Sequence, residues 1–502
     1  MKKFLKTIIC CFLMSATLAL TFACGGGSDE SKGGSTGLIM NENRVYYIDP
    51  DVPGDSIDNK TRIKVTFAET GFGRTWIENA AKAFVTENRE YWVYLDGDPE
   101  ITTGMSNKLE TGAAIADVYM VLASNWYDFA VKGWIEPIDD VYATKIDGEN
   151  KPSIGEKTDE VFLDYSKATV KNKESLYVMP WNKNVTGIAY NGKMFEQYGW
   201  KVPETVTELV ELCDRIIVDT KGKVSPFVYC GADGGYFDFL LMNWWLQASG
   251  KEKVEEFFDF GSEEVFAYKT QSDPSYGKLV GLNQFNKLFG KNANGTYNGK
   301  EYSYVLAGSG SKRNTQAQQS FLIGEAAMMP NGGWMECEMQ EFLPDGFEIR
   351  MMRTPYVENV SLKKNGEYIS CNYSAQPDYM LVPAKAKNKE GGKKFLAFLQ
   401  RDDILKQYTK DTGSVRPFVY DYSEGEYTKF NADCFDICKN SDYSYFEYSK
   451  SPLWLATKVR VFNTLSPYTK IRSGELTAAV YCANEYNYVK DNWATWKKDA
   501  GM

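Results

Sequence analysis

The chain has no histidine among its 502 residues. That absence removes Ser-His-Asp and Cys-His nucleophilic catalysis, HExxH zinc sites and histidine general bases. Carboxylate chemistry survives, notably glycoside hydrolysis, but no acid pair sits in a recognisable catalytic setting. What the sequence offers instead is aromatic surface, since Phe, Trp and Tyr make up 15% of it. Trp126, Trp181 and Trp334 could present flat apolar faces to a ligand. Trp244 joins them, although it and Trp245 point about 100° apart on a helix, so at least one is core. Phe72 and the polar groups Glu69, Asn125, Asn184, Glu336, Asp378 and Arg416 complete a candidate set that could hold hydrogen-bonding ligands in a cleft. Gly333, after Gly332, lets backbone approach a ligand closely. The competing use of the tryptophans is core packing, and that of Arg416 a structural salt bridge.

The elements that position these residues can be read from periodicity. Ile63, Val65 and Phe67 alternate as a strand ending near Ala68. Gly71 and Gly73 mark a turn, and Thr75 can cap a helix with Trp76, Ala80 and Phe84 on one face. Tyr91–Leu95 is a second strand, Met105–Thr111 a helix closed by Gly112, and Asp117–Leu122 a third strand. This β-α-β-α-β order predicts a parallel sheet with right-handed crossovers. Ligands sit beyond the carboxyl ends of such strands, which selects Glu69, Phe72 and Arg74 in one loop and Ser124, Asn125 and Trp126 in another.

The segment Tyr177–Asn191 is extended but contains Pro180, which argues for a crossing rather than a central strand. Met179 and Pro180 are expected at that crossing, Trp181 and Asn184 in the cleft, and Tyr190-Asn191 in second-lobe packing. Further on, Thr205-Val-Thr-Glu208 is a capping box, followed by a stripe of Leu209, Leu212, Cys213, Ile216 and Ile217. Pro226–Cys230 and Ala326–Met329 read as strands; Tyr236–Ser249, Gln318–Ile323, Glu390–Gln400 and Asp402–Tyr408 read as helices. Asn372–Pro383 is extended, and the tail is aromatic and mostly helical.

A chain this long exceeds one core, so two α/β lobes are expected. Lys2, Lys3 and Lys6 precede a largely apolar run from Thr7 to Ala23, an export-signal pattern. Leu20-Thr-Phe-Ala-Cys24 resembles a bacterial lipobox, in which Cys24 would be acylated, although the leucine lies four rather than three residues before the cysteine. The glycine-rich stretch from Gly25 to Gly34 suits a tether. Removing residues 1–23 takes away three lysines and no acids, shifting the formal charge from −10 to −13. That disfavours nucleic acid and anionic membrane surfaces as partners. Seven of the ten cysteines follow Cys24, and an odd number cannot all pair within the chain. Cys434 and Cys438 are expected as free thiols. Asp49, Asp51, Asp55 and Asp58 crowd one loop without a calcium-loop spacing, so a solvated acidic loop is expected and no metal or cofactor.

Taken together, Phe321-Leu-Ile-Gly-Glu-Ala-Ala-Met328 with Gly333-Trp334, Tyr190-Asn191 with Pro203-Glu-Thr205, and Thr412-Gly-Ser-Val-Arg-Pro417 resemble the extracellular solute-binding proteins of bacterial ATP-binding-cassette importers. The nearest group is the carbohydrate-binding one that includes maltodextrin-binding proteins. The resemblance spans about residues 62–420. It implies a type II periplasmic-binding-protein fold of two α/β lobes closing around a ligand, with crossings near Tyr177–Trp181, Cys371–Ser374 and Thr412–Pro417. The first lobe would be 62–180 plus 373–413 and the second 181–372 plus 414–502, after a signal peptide at 1–23 and a lead-in at 24–61. The implied protein is a non-catalytic, monomeric, lipid-anchored receptor on the outer face of the cytoplasmic membrane, passing an oligosaccharide to importer transmembrane subunits. A sugar offers planar hydroxyls and C–H faces, which the aromatic and carboxylate groups above match. Two other readings stay open: the same scaffold binding a polyamine through carboxylates and cation–π contacts, and a lipid-anchored glycoside hydrolase.

Overall fold

The computed structural model describes residues 37–122, 126–375, 377–454, 457 and 467–502. The signal peptide, Cys24, Ser124 and Asn125 lie outside the described residues. Leu38–Met502 forms one compact unit. Its strands, numbered for this description, are β1 Leu38–Asn41, β2 Arg44–Tyr47, β3 Thr61–Phe67, β4 Tyr91–Gly97, β5 Val118–Val121, β6 Met179–Pro180, β7 Thr186–Asn191, β8 Ser225–Phe227, β9 Ala326–Gly332, β10 Ile349–Met352, β11 Cys371–Tyr373, β12 Tyr379–Leu381 and β13 Tyr443–Tyr445. Small hairpins at 167–176, 294–303 and 363–368 lie apart from the main sheets.

Two sheets organise the unit. The first has the order β1-β2-β4-β3-β5-β12-β6, and the second β8-β9-β7-β10. At the centre of the first, β3 runs parallel to both β4 and β5, as the βαβαβ reading requires. Ile63, Val65 and Phe67 point inward with almost no exposure. The helix Thr75–Glu87 covers them with Trp76, Ile77, Ala80, Ala81, Phe84 and Val85. Its N-cap is Arg74, not Thr75, and no side chain makes a capping bond there. The Thr205–Glu208 capping box forms as expected, and Leu209, Leu212, Cys213, Ile216 and Ile217 are all buried. In the second sheet every residue of β7 and β9 is buried, because helices cover one face and the tail covers part of the other. Gly187 is needed here, since a Cβ would strike the Met352 carbonyl of the adjoining strand.

The chain leaves the first sheet just after Met179–Pro180, next to the Tyr177–Trp181 segment where a crossing is expected. β6 closes the first sheet and β7 opens the middle of the second, so residues 181–185 cross. After β11 the chain re-enters the first sheet at β12. The third passage follows the helix Asp402–Thr412, where Val415 pairs with Lys183 and Phe418 with Thr158. Several boundaries differ. β9 runs on to Gly332 rather than stopping at Met329, and β8 is a short Ser225–Phe227. The helical tail also contains β13, which no periodicity announced in three residues of Tyr-Ser-Tyr. The seven later cysteines are all free.

Candidate functional site

The three crossings run side by side and are tied by buried amides. Asn182 donates its side-chain N–H to the Asp378 carboxylate, and the Trp181 N–H reaches the Asp378 carbonyl at 3.1 Å. Asn372 donates Nδ2 to the Asn184 carbonyl at 3.1 Å and accepts the Thr186 N–H at 3.3 Å. The Thr186 hydroxyl donates to the Tyr373 carbonyl, and the Lys183 N–H reaches the Val415 carbonyl at 2.9 Å. Buried polar groups without such partners would each cost about 1–3 kcal/mol, so the amides at these positions follow from the backbone they must satisfy. Lys183 also pairs with Asp159 at 2.8 Å.

One aromatic stands between the two halves. Trp334 packs against the first-sheet core and also against the aromatic cluster around the helix Asp238–Ser249. Tyr236 and Phe239 meet it edge-on, with centroids at 6.3 and 5.5 Å. Opposite lies the loop after β3, where Gly71 (φ +56°) would carry its Cβ 3.5 Å from that of Trp334. The Glu338 carboxylate, on the turn after Trp334, accepts from Gln318 Nε2 at 2.7 Å. On the other side of the indole, a Cβ on Gly332 would strike its ring. Glycine at 332 is therefore a condition for seating Trp334 here, while Gly71 supplies the left-handed turn of the loop that meets it.

The segments that form this wall also carry carboxylates. Glu69 is about one-third exposed and pairs with Arg74 at 3.3 Å. Glu336 accepts from the Thr428 hydroxyl at 2.6 Å and from Asn431 at 3.2 Å, yet burial pushes its carboxyl above the ordinary range. Burial does the same to Glu338. Asp238, on the first turn of its helix, is pushed up to about 7 by burial, against the Tyr468 hydroxyl that donates to it and with the Glu447 charge adding. Such a group retains a proton near neutrality and can donate as well as accept a hydrogen bond.

The candidate residues divide sharply. Glu69, Trp334 and Glu336 are partly exposed at this wall, and Gly333 is buried behind it with its N–H on the Val185 carbonyl at 2.9 Å. Three expected platforms are core residues instead. Trp181 stacks on Trp76 at 5.5 Å and meets Phe72 at 6.0 Å, while its Nε1 reaches the Val121 carbonyl at 3.3 Å. Phe72 is buried with it. Trp126 begins the short helix Trp126–Val131 and packs on Tyr165 at 5.5 Å, so it is not left standing at a strand end. Trp244 is 1% exposed, its Nε1 on the Pro355 carbonyl at 3.0 Å. Both members of the Trp244–Trp245 pair are buried because that helix is enclosed on all sides.

Among the described residues Arg416 forms no salt bridge. It is buried, donating Nη1 to the Leu399 carbonyl at 3.0 Å between the rings of Tyr408 and Phe418, and burial pulls its guanidinium down to about 10. Asn184 and Asp378 are buried in the crossing network described above. Sequence reading missed Tyr236, Asp238, Glu338 and Glu447. Only the glycines 234 and 235 before Tyr236 hinted at a turn aimed at the site, and nothing local marks Glu447.

Two α/β halves joined by adjacent crossings, with an aromatic and acidic wall between them, define the solute-binding class of fold. The chain belongs to the bacterial extracellular solute-binding proteins, whose family model matches residues 69–405. Among curated proteins it is 26% identical over 295 residues to the multiple sugar-binding protein of Streptococcus mutans, covering 57% of this chain and 63% of that one. A shorter match, 33% identical over 69 residues, is to the melibiose/raffinose/stachyose-binding protein MelE of Bacillus subtilis, covering 14% of this chain and 16% of that one. The matched region thus spans less than two thirds of either relative. Among solved structures, RafE in complex with raffinose superposes with a TM-score of 0.62 at 18% identity, covering 86% of this chain and 98% of that one. A sugar transporter of Bacillus licheniformis in complex with stachyose gives 0.55 at 15% identity, with 85% and 99% covered. These likenesses establish the fold.

Proposed function

We propose that the protein is an extracytoplasmic, lipid-anchored receptor that captures an oligosaccharide between its two lobes and hands it to an ATP-binding-cassette importer. The observation that carries this reading is Trp334, held half-buried between the Gly71 loop and the Tyr236–Phe239 pair, with Glu336 and Glu338 on the turn that follows it. An indole face stacks on the C–H face of a pyranose, and carboxylates beside it accept hydroxyl hydrogens. The sugar ligands named for the related proteins point the same way. The lobes are taken as 62–180 plus 373–413 and 181–372 plus 414–502. Glu69, Trp334 and Glu336, joined by Tyr236 and Asp238, are the ligand-facing set. Closure seats the loop after β3 on Trp334, and the role is binding without catalysis.

Calorimetric titration with raffinose, stachyose, xylo-oligosaccharides and spermidine tests the proposal. Saturable binding of one glycan, lost in Trp334→Ala, supports it. Binding of spermidine alone transfers the site to the polyamine reading, and release of shorter sugars from a bound glycan revives the hydrolase.

A further inference from the structure

The family match ends at Leu405, yet the chain beyond it returns to both halves. The helix Lys429–Lys439 is fastened to the second sheet by Asp433, which receives Arg350 at 2.6 and 2.8 Å and the Met351 N–H at 3.0 Å. Asp442 then accepts the Ser370 N–H at 2.7 Å. Next, β13 lies parallel to β11, with Tyr443, Ser444 and Tyr445 opposite Cys371, Asn372 and Tyr373. Tyr445 faces the aromatic cluster of the second half.

The following residue, Phe446, belongs to the core of the first half. It is 1% exposed, 4.7 Å from the ring of Phe162 and 5.3 Å from that of Tyr165. Tyr448 packs on Tyr165 at 5.4 Å and donates its hydroxyl to Asp164 at 2.9 Å, while Lys450 reaches the Asp164 carbonyl at 2.8 Å. By Trp454 the chain is back in the second half, 5.2 and 5.3 Å from Phe258 and Phe260. Within residues 443–454 the chain is thus anchored on the second half, then the first, then the second again.

We propose that residues 443–454 form a strap, a fourth tie between the lobes whose non-covalent anchor on Phe162 and Tyr165 holds the closed arrangement. This rests on the reading that the two lobes move against each other. The three backbone crossings fix where the lobes are joined but leave their angle free. The strap does not, because separating the lobes must either pull Phe446 out of its aromatic site or peel β13 from β11. Tyr445 links it to the cleft wall, since it shares one aromatic cluster with Trp334 and with the Phe239 ring that meets it. A ligand seated on Trp334 and the strap therefore stabilise the same closed state.

Two substitutions test the strap. Phe446→Ala removes the buried anchor; Asp164→Ala, at a carboxylate that is 52% exposed, removes the acceptor of the Tyr448 hydroxyl and the carboxylate 3.6 Å from Lys450 without touching a core. Small-angle scattering of the ligand-free purified protein should give a larger radius of gyration for both variants, at unchanged circular dichroism. With stachyose as probe, dissociation should quicken about tenfold in Phe446→Ala, since two aromatic pairs are lost, and less in Asp164→Ala. A folded Phe446→Ala with wild-type radius and off-rate overturns the proposal. Should that variant fail to fold, an unchanged radius in Asp164→Ala overturns it equally. If stachyose does not bind the wild type, the sugar assignment loses support, while the radius comparison still decides the strap.

Discussion

Replacing Trp181 with alanine separates a core tryptophan from a ligand platform. In the structure the indole is 2% exposed, sandwiched against Trp76 at 5.5 Å with planes 17° apart, and Phe72 closes its edge. Truncating a buried Trp costs roughly 3–5 kcal/mol through lost transfer energy and the cavity left behind. The Val121 carbonyl, deprived of the Nε1 donor now at 3.3 Å, adds about 1 kcal/mol. For a lobe of 150–250 residues, each kcal/mol shifts the melting temperature by roughly 2–4 °C, so the first lobe should melt about 10 °C or more below wild type. Differential scanning calorimetry resolves the two lobes if they unfold separately, and urea titration gives the same ranking. Trp334→Ala serves as the reference, with a smaller loss of stability and a larger loss of glycan affinity. A Trp181→Ala protein that melts within about 2 °C of wild type yet no longer binds sugar would refute the core placement and restore Trp181 to the cleft.

Three further outcomes are expected. Lys278 and Glu485 form a buried ion pair at 2.5 Å, each side chain 2% exposed, joining the helix Tyr276–Phe289 to the C-terminal helix Ala478–Asp499. Lys278→Met alone should destabilise by about 3–5 kcal/mol, and adding Glu485→Leu should recover much of it, because the first change strands a buried charge and the second removes it; a double variant no more stable than the single would contradict this. Gly71→Asn keeps the left-handed backbone, which asparagine tolerates, but sets a side chain against Trp334; glycan affinity should fall about tenfold with little change in melting, and unaltered affinity would show that the lobes need not approach here. Asp238 holds its proton up to about pH 7 in the folded state, against an ordinary aspartate value of 3.8. Its contribution to stability is therefore fully present below about pH 4 and is lost as pH rises through 7. Asp238→Asn should flatten that part of the urea-midpoint profile, and identical slopes for variant and wild type would exclude the assignment.

How far the sequence reveals this arrangement depends on how local the information is. The alternation of Ile63, Val65 and Phe67 and the 3.6-residue spacing of Trp76, Ala80 and Phe84 are read directly, because burial on one face leaves a period in the chain. Pro180 marked the first crossing for an equally local reason: it sits at the edge of the first sheet, where no ladder donor is required. The site is less legible, since an exposed tryptophan and a buried one are the same letter. Trp181 and Trp334 both follow a strand beside polar residues, and only the packing of Trp76 and Phe72 on one, and of two glycines around the other, tells them apart. Arg416 likewise reads as a cleft or salt-bridge group until the carbonyl of Leu399 and two aromatic rings enclose it. The strap depends on contacts with residues some 280 positions earlier, such as Tyr448 with Asp164. No window of sequence carries that pairing.

The most direct test of the central claim is titration of the purified protein with an oligosaccharide panel, followed by scattering with and without the best ligand. Saturable binding that Trp334→Ala abolishes is expected, together with a radius of gyration that falls on sugar binding in the strap-weakened Phe446→Ala protein. Binding of no glycan in the panel, or sugar binding that is indifferent to Trp334, would contradict it.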